Sequence, residues 1–303
     1  MGGCRNCGSL DVRELGFVGQ LAPFFLKRVF NLELHGRIAV NPVKRCIQLL
    51  ASPGKRFFAR LLGDSAFIEM QVCRSCAFVQ AKHPFSEEAI TRLYLDYRAD
   101  SYNVERIKYE PSYRAIAERV GTDDVEVRGR VKAVTEWLSD KIEILDNFTM
   151  LDYGGADGRF LPRLPAAEKF VYEVSNIAPL HGIARIPNET ELGTYSYIHL
   201  AHVLEHVVNP LELVERVAQH IKPGGYLYIE VPQELSDSDL TSLQNESHHF
   251  DIFVHEHINK YSLSAITHLL GAAKLKPIAT VSDNMDVGWA KAVHLRALAR
   301  RLA

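Results

Sequence analysis

Two cysteine pairs, CRNC (Cys4, Cys7) and CRSC (Cys73, Cys76), are the residues whose spacing most directly specifies a chemistry. A two-residue spacer lets both sulfurs of one turn face a single ion. Two such turns supply the four thiolates of a closed tetrahedral zinc site, which has no position for substrate and is therefore structural. The stretch between the pairs is much longer than the roughly 15–20 residues usual for such sites. Two disulfides or four unlinked thiols are the alternatives. Cys46 has no partner at that spacing and reads as an ordinary buried thiol.

A different chemistry is written into MLDYGGADGRF, residues 150–160. A short apolar run, an acid and then glycines read as a strand that breaks into a tight turn and feeds a helix. The register is acid-x-G-x-A-x-G, with Asp152 ahead of Gly154, Ala156 and Gly158. Glycines let a backbone pass close to a ligand. An acid at the strand end would repel the pyrophosphate of a dinucleotide and suits a ligand with an ammonium group and no phosphate. S-adenosylmethionine is such a ligand. The next strand, KFVYEVS, ends at Glu173, about twenty residues on, where a carboxylate accepts hydrogen bonds from a ribose diol.

The third constellation is ESHHFDIFVHEHINKYS, with His248, His249, His255 and His257 beside Glu246, Asp251 and Glu256. In an extended chain His255 and His257 point to one side and Glu256 to the other. An imidazole near neutral pKa suits proton removal from a hydroxyl or an acidic C–H. A divalent metal site is the rival, although the pattern is not H-E-x-x-H. Ordinary surface histidines are the third reading.

The elements that must position these groups follow from periodicity. NCGSLDVRELGF and FIEMQVCRSCAFVQ read as short strands around a zinc ribbon. Between them, residues 17–63 carry apolar residues at helical spacing with Lys27, Arg28, Lys44, Arg45, Lys55, Arg56 and Arg60 interspersed. This reads as a packed helical insertion with solvated charges, broken by Pro42, Pro53 and Gly54. A basic docking face for an anion or a membrane surface is the functional alternative. Ser86 with Glu88 marks a helix start. A second helix over 125–142 turns Val127, Val131, Val134, Trp137 and Leu138 to one face. Tyr94, Tyr97, Tyr102, Tyr109 and Tyr113 fall in this helical linker, mostly as amphipathic core. Beyond it strands and helices alternate to the end, with WAKAVHLRALAR as a last edge strand, which argues for an α/β doubly wound sheet. The expected division is a zinc-binding module at 1–85, a helical linker at 86–145 and the sheet domain at 146–303.

The totals set the limits. Of 303 residues 47% are hydrophobic, enough for a sizeable core, and a formal charge of −2 gives no global attraction to nucleic acid. No apolar run approaches the ~20 residues of a membrane span. The start lacks a signal-peptide pattern, and Asn6 stands where a myristoylation signal wants Ser or Thr. A cytoplasmic protein is expected.

The blocks LDYGGADGRF, Glu173, HVLEHVVNP and IKPGGYLYIEVP together, in this order, resemble the class I S-adenosylmethionine-dependent methyltransferases over roughly residues 141–303. The resemblance implies a Rossmann-like methyltransferase sheet and a cofactor set of Asp152, Gly154, Gly155, Ala156, Gly158, Glu173 and His202. Ile186, Asn188 and Glu189 are candidates for the adenine side. Two CxxC pairs before such a core resemble, more narrowly, the deoxysugar C-methyltransferases with an N-terminal zinc module. That likeness implies acid/base groups at His257, Glu256 and His206. Val254 departs from the tyrosine usual there, and the subfamily's large C-terminal domain has no counterpart in these residues.

The expected function is in-line methyl transfer from S-adenosylmethionine to a small polar acceptor, a sugar or nucleotide-sugar or glycan intermediate. A histidine, His257 first, is the general base and zinc is structural. The alternatives are a non-catalytic S-adenosylmethionine-binding scaffold and an RNA or protein methyltransferase. The absence of an aromatic-basic stacking motif speaks against nucleic acid.

Overall fold

The structure, a computed structural model, describes residues 3–32, 45–52, 55–62, 65–97, 99–175, 177–245 and 250–302. Pro42, Lys44, Pro53, Gly54, Glu246, His248 and His249, all singled out by the sequence, lie outside the described residues. The chain forms two compact units. Unit 1 takes Met1–Ala117, Glu205–Val208 and Leu235–Ser262; unit 2 takes Glu118–Leu204, Asn209–Glu234 and Leu263–Ala303.

Unit 1 begins with β1 (Val12–Leu21), α1 (Pro23–Phe30), β2 (Arg45–Ser52), β3 (Lys55–Leu62), β4 (Ser65–Cys73) and β5 (Val79–Ala81). Helices α2 (Glu87–Tyr94) and α3 (Asp100–Tyr109) follow. The segments around the cysteines are strands, as expected: β1 runs antiparallel to β4, with Val12 opposite Cys73. The α2 helix starts where Ser86 predicts, its hydroxyl accepting from the Ala89 N–H. The basic insertion departs from expectation. Residues 45–52 and 55–62 form not helix but an antiparallel pair, β2 against β3, with Leu49 opposite Phe57 and Ser52 opposite Lys55. A short apolar run fits either period, so spacing alone does not separate strand from helix here.

Unit 2 opens with α4 (Asp124–Leu138), β6 (Thr149–Tyr153), β7 (Glu168–Tyr172), β8 (Ala184–Ile186), β9 (Tyr195–Ala201), α5 (Pro210–Gln219) and β10 (Ile221–Pro232). The chain then returns to unit 1 for α6 (Asp237–Gln244), β11 (Ile252–Val254) and β12 (Asn259–Lys260). There β11 pairs parallel with β1 and β12 pairs with β5. Unit 2 closes with α7 (Leu263–Ala272), β13 (Lys276–Asp286) and β14 (Lys291–Arg300).

The unit 2 sheet has the order β13-β14-β10-β9-β6-β7-β8. Strands β6 to β10 are parallel neighbours, and β14 runs antiparallel between β10 and β13. WAKAVHLRALAR is therefore an interior strand, and the edge falls to β13. Strand order reverses at β6, which has β7 on one side and β9 on the other.

Among the described residues, three connections lack the α-helix that double winding predicts, the β8–β9 link holding only a 3-10 turn at Glu189–Glu191. Residues 154–167, after β6, contain turns and irregular chain, and the described residues of the β7–β8 connection hold no helix. Pro162 and Pro165 remove the amide hydrogens a helix would need. The apolar cover is kept by other means. Leu161 and Leu164 pack with Val134 and Leu138 of α4 against Met150, Tyr197, Tyr228 and Leu298 of the sheet. Among the described residues, no helix is long and apolar enough to cross a membrane.

Candidate active site

β6 carries Asp152 to the carboxyl edge of the unit 2 sheet at the point of order reversal, where open α/β sheets hold their ligands. Asp152 is 1% exposed, and its Oδ2 has no hydrogen-bond partner. Burial pushes its carboxyl up to about 8. The chain turns over this acid so closely that a Cβ at Gly155 would lie 1.9 Å from the Asp152 carboxyl carbon. Ala156 holds φ +53, a left-handed conformation that costs a residue with a side chain about 1 kcal/mol.

The other residues expected at the cofactor are engaged within the unit. Glu173 Oε2 accepts from the Ala156 N–H at 3.0 Å, and Oε1 accepts from the Ser175 N–H at 2.9 Å. The carboxylate expected on a ribose thus ties the end of β7 to the glycine turn. Glu189 accepts from the Tyr153 hydroxyl at 2.6 Å, and Asn188 bonds to Glu191. Gly154 faces Val203, the residue after His202. His202 itself takes φ +55 just past β9.

Sequence reasoning missed the centre of this unit. Glu230 near the end of β10 is 1% exposed and gathers basic groups from several elements. Its Oε1 lies 2.7 Å from Arg130 Nη2, 3.2 Å from His294 Nδ1 and 3.3 Å from His202 Nε2. Its Oε2 accepts from the Tyr228 hydroxyl at 2.6 Å and from Arg296 Nε at 3.1 Å. Burial opposes its charge, but Arg130 and the histidines outweigh that and hold it well below the usual carboxylate range. The available signal was a lone acid inside YLYIEVP and a lone arginine inside VHLRALA, since charges within buried apolar strands must be paired.

In unit 1 the HEH segment is bent rather than extended past Val254. The His255 and His257 rings still meet, with centroids 4.4 Å apart. Glu256 is 8% exposed, pairs with Arg106 and accepts from the Tyr102 hydroxyl at 2.7 Å. Burial would raise it, but Arg106 above all keeps it below its ordinary value. Glu256 is therefore committed to an internal ion pair. The His206 ring stands 4.8 Å from that of His257, and its Nδ1 is 3.2 Å from the Glu256 carbonyl and bonded to the Tyr94 hydroxyl.

The four cysteines converge. Cys4 and Cys76 sulfurs are 3.7 Å apart, Cys7 and Cys73 sulfurs 3.8 Å, and all four lie within 4.8 Å of one another. These distances are far beyond a disulfide bond of about 2.05 Å. They match the ~3.8 Å edge of a tetrahedron with ~2.3 Å zinc–sulfur bonds. The two knuckles are built alike: the Gly8 N–H donates to the Cys4 carbonyl and the Ala77 N–H to the Cys73 carbonyl, each at 2.9 Å.

The family model described as a methyltransferase domain matches residues 125–280, just over half of the chain. The chain belongs to that family, and the protein is a methyltransferase with the class I, S-adenosylmethionine-dependent fold. No curated protein matches the chain. Among solved structures it is similar to the N-methyltransferase NodS of Bradyrhizobium japonicum WM9, at 18% identity and TM-score 0.40, over 60% of this chain and 99% of that one. It is also similar to the 1,6-didemethyltoxoflavin-N1-methyltransferase of Burkholderia thailandensis, solved with 1,6-didemethyltoxoflavin and S-adenosylhomocysteine. There identity is 16% and the TM-score 0.43, over 75% of this chain and 96% of that one.

Proposed function

We propose that this methyltransferase carries the methyl group of S-adenosylmethionine to a small polar acceptor, a sugar or sugar-linked intermediate. The observation that carries the donor assignment is Asp152, a buried acid with an unsatisfied oxygen beneath a turn that admits no side chain at Gly155. A ligand ammonium would compensate that acid, whereas a phosphate would not. Asp152, Gly154, Gly155, Ala156, Gly158 and His202 would hold the donor. Glu173 would reach a ribose by giving up the Ala156 N–H. The bound donor supplies a methyl activated on a sulfonium; the chain must align it and take the acceptor's proton.

The acceptor reading is supported by the grouping in unit 1 of His206, His257 and Tyr94, a set suited to hydroxyls. An imidazole takes the proton; His257 and His206 are the candidates the sequence offers, and Glu256 is their anchor through Arg106. The cysteine cluster holds structural zinc in a module over residues 1–85, ahead of a helical linker at 86–145 and a transferase domain at 146–303. A second reading, a scaffold without turnover, is favoured by one observation, the missing helix after the glycine turn.

Titration calorimetry with S-adenosylmethionine tests the donor assignment, with Asp152→Asn as control, and methyl transfer separates the enzyme from a scaffold. Binding by the native chain, weakened in the variant, is expected; no heat from the native chain refutes the donor assignment. Tritiated-methyl transfer across free sugars, nucleotide sugars and glycans then identifies the acceptor, and label appearing only on RNA or protein overturns the sugar reading.

A further inference from the structure

His202 is the first residue past β9, at the carboxyl edge of the strand that pairs with β6. It bears a side chain in the left-handed region, a conformation that persists only where the surroundings enforce it and that clusters at functional sites. The enforcement is visible. Its N–H donates to the Glu230 carbonyl at 2.8 Å, and its Nε2 faces Glu230 Oε1 at 3.3 Å. Val203, the next residue, packs against Gly154 of the glycine turn. His202 is thus held beside the proposed donor loop by its backbone, with its ring lying against Glu230. Its side chain is 28% exposed, whereas the Glu230 side chain is 1% exposed.

The charged groups around this pair are Glu230 on β10, His294 and Arg296 on β14, Arg130 on α4 and His199 on β9. His202, Glu230 and His294 offer metal-ligand geometry. With Arg130 and Arg296 already on the carboxylate, a divalent cation there would meet two guanidinium charges. Arg130 with the neighbouring histidines keeps Glu230 ionised, able to orient an imidazole and to receive the charge it gains.

We propose that His202 is the general base of methyl transfer and Glu230 its positioning residue. This deepens the function proposed above and rests on its donor assignment; it names the base as His202. With the ring proton on Nε2 facing Glu230, the basic lone pair is on Nδ1. The acceptor's lone pair forms the new bond to the methyl carbon, and the carbon–sulfur bond breaks with its electrons going to sulfur. The acceptor's proton passes to Nδ1 of His202. The imidazolium, paired with Glu230, releases that proton to solvent.

Histidine-selective NMR of the full chain tests the placement without an acceptor. Adding S-adenosylhomocysteine is expected to shift the His202 Cε1–H signal, and Glu230→Gln to lower its titration midpoint. A signal that ignores the ligand overturns the proposal, as does an unchanged midpoint in a folded Glu230→Gln chain. In the transfer assay, His202→Gly keeps a residue suited to the backbone and opens room for added imidazole. It is expected to lower kcat by about 10²-fold or more and to recover part of the rate with imidazole. A rate within threefold of native overturns the proposal while the methyltransferase reading stands. Absence of donor binding by the native chain takes both down.

Discussion

The carboxyl group of Asp152 occupies the space in which a side chain on Gly155 would begin, 1.9 Å from the position of its Cβ. An acid sealed under a backbone in this way titrates late, at about 8, because burial penalises its charge. In the unfolded chain it ionises near 4. Between those values the folded state holds a proton the unfolded state has lost, so rising pH lowers stability. Asp152→Asn removes the ionisation. Its melting temperature relative to the native chain is therefore expected to climb from pH 5 to pH 9 in the absence of donor. Donor affinity should behave oppositely, rising from pH 5 towards the pH at which the donor's own ammonium deprotonates, about 8, and changing less in the variant. Thermal scans and calorimetry over that range check both, and a constant offset contradicts the assignment.

The ion pair of Arg106 with Glu256 anchors the HEH segment. Arg106→Met leaves a buried carboxylate without its cation and is expected to cost about 3–5 kcal/mol. Tyr102→Phe, which removes one hydrogen bond, should cost about 1–2 kcal/mol. Chemical denaturation measures both losses; equal, small effects would show that the pair contributes little.

Convergence of four sulfurs predicts one zinc ion per chain by elemental analysis. The paired substitution Cys7→Ser with Cys73→Ser should abolish it, and a strong chelator should lower the melting temperature of the native chain. Full zinc content in the double variant would refute this ligand set.

Ala156 adopts a conformation that glycine takes at little cost. Ala156→Gly relieves about 1 kcal/mol of strain and adds unfolded-state entropy of similar but smaller size, so a gain of about 0.5 kcal/mol is expected. A lower melting temperature for the variant would place the strain elsewhere.

The sequence by itself determined the features set by neighbours along the chain. The cysteine knuckles, the turn after Asp152, the Ser86 cap and the alternation that builds the unit 2 sheet are all short-range patterns, governed by covalent geometry and local propensity. Two expectations failed for different reasons: Pro162 and Pro165, a local signal, oppose the helix that the glycine turn announced, and strand pairing made β2 and β3 of residues 45–52 and 55–62. Only the tertiary structure decided that the segment before Ser262 joins β1 and β5, that β14 lies inside the sheet, and that Glu230 gathers Arg130, His202, His294 and Arg296. Those groups are far apart in the chain. A buried charge requires compensation but does not say from which distant strand it comes, so the partner is fixed only when the sheet order is.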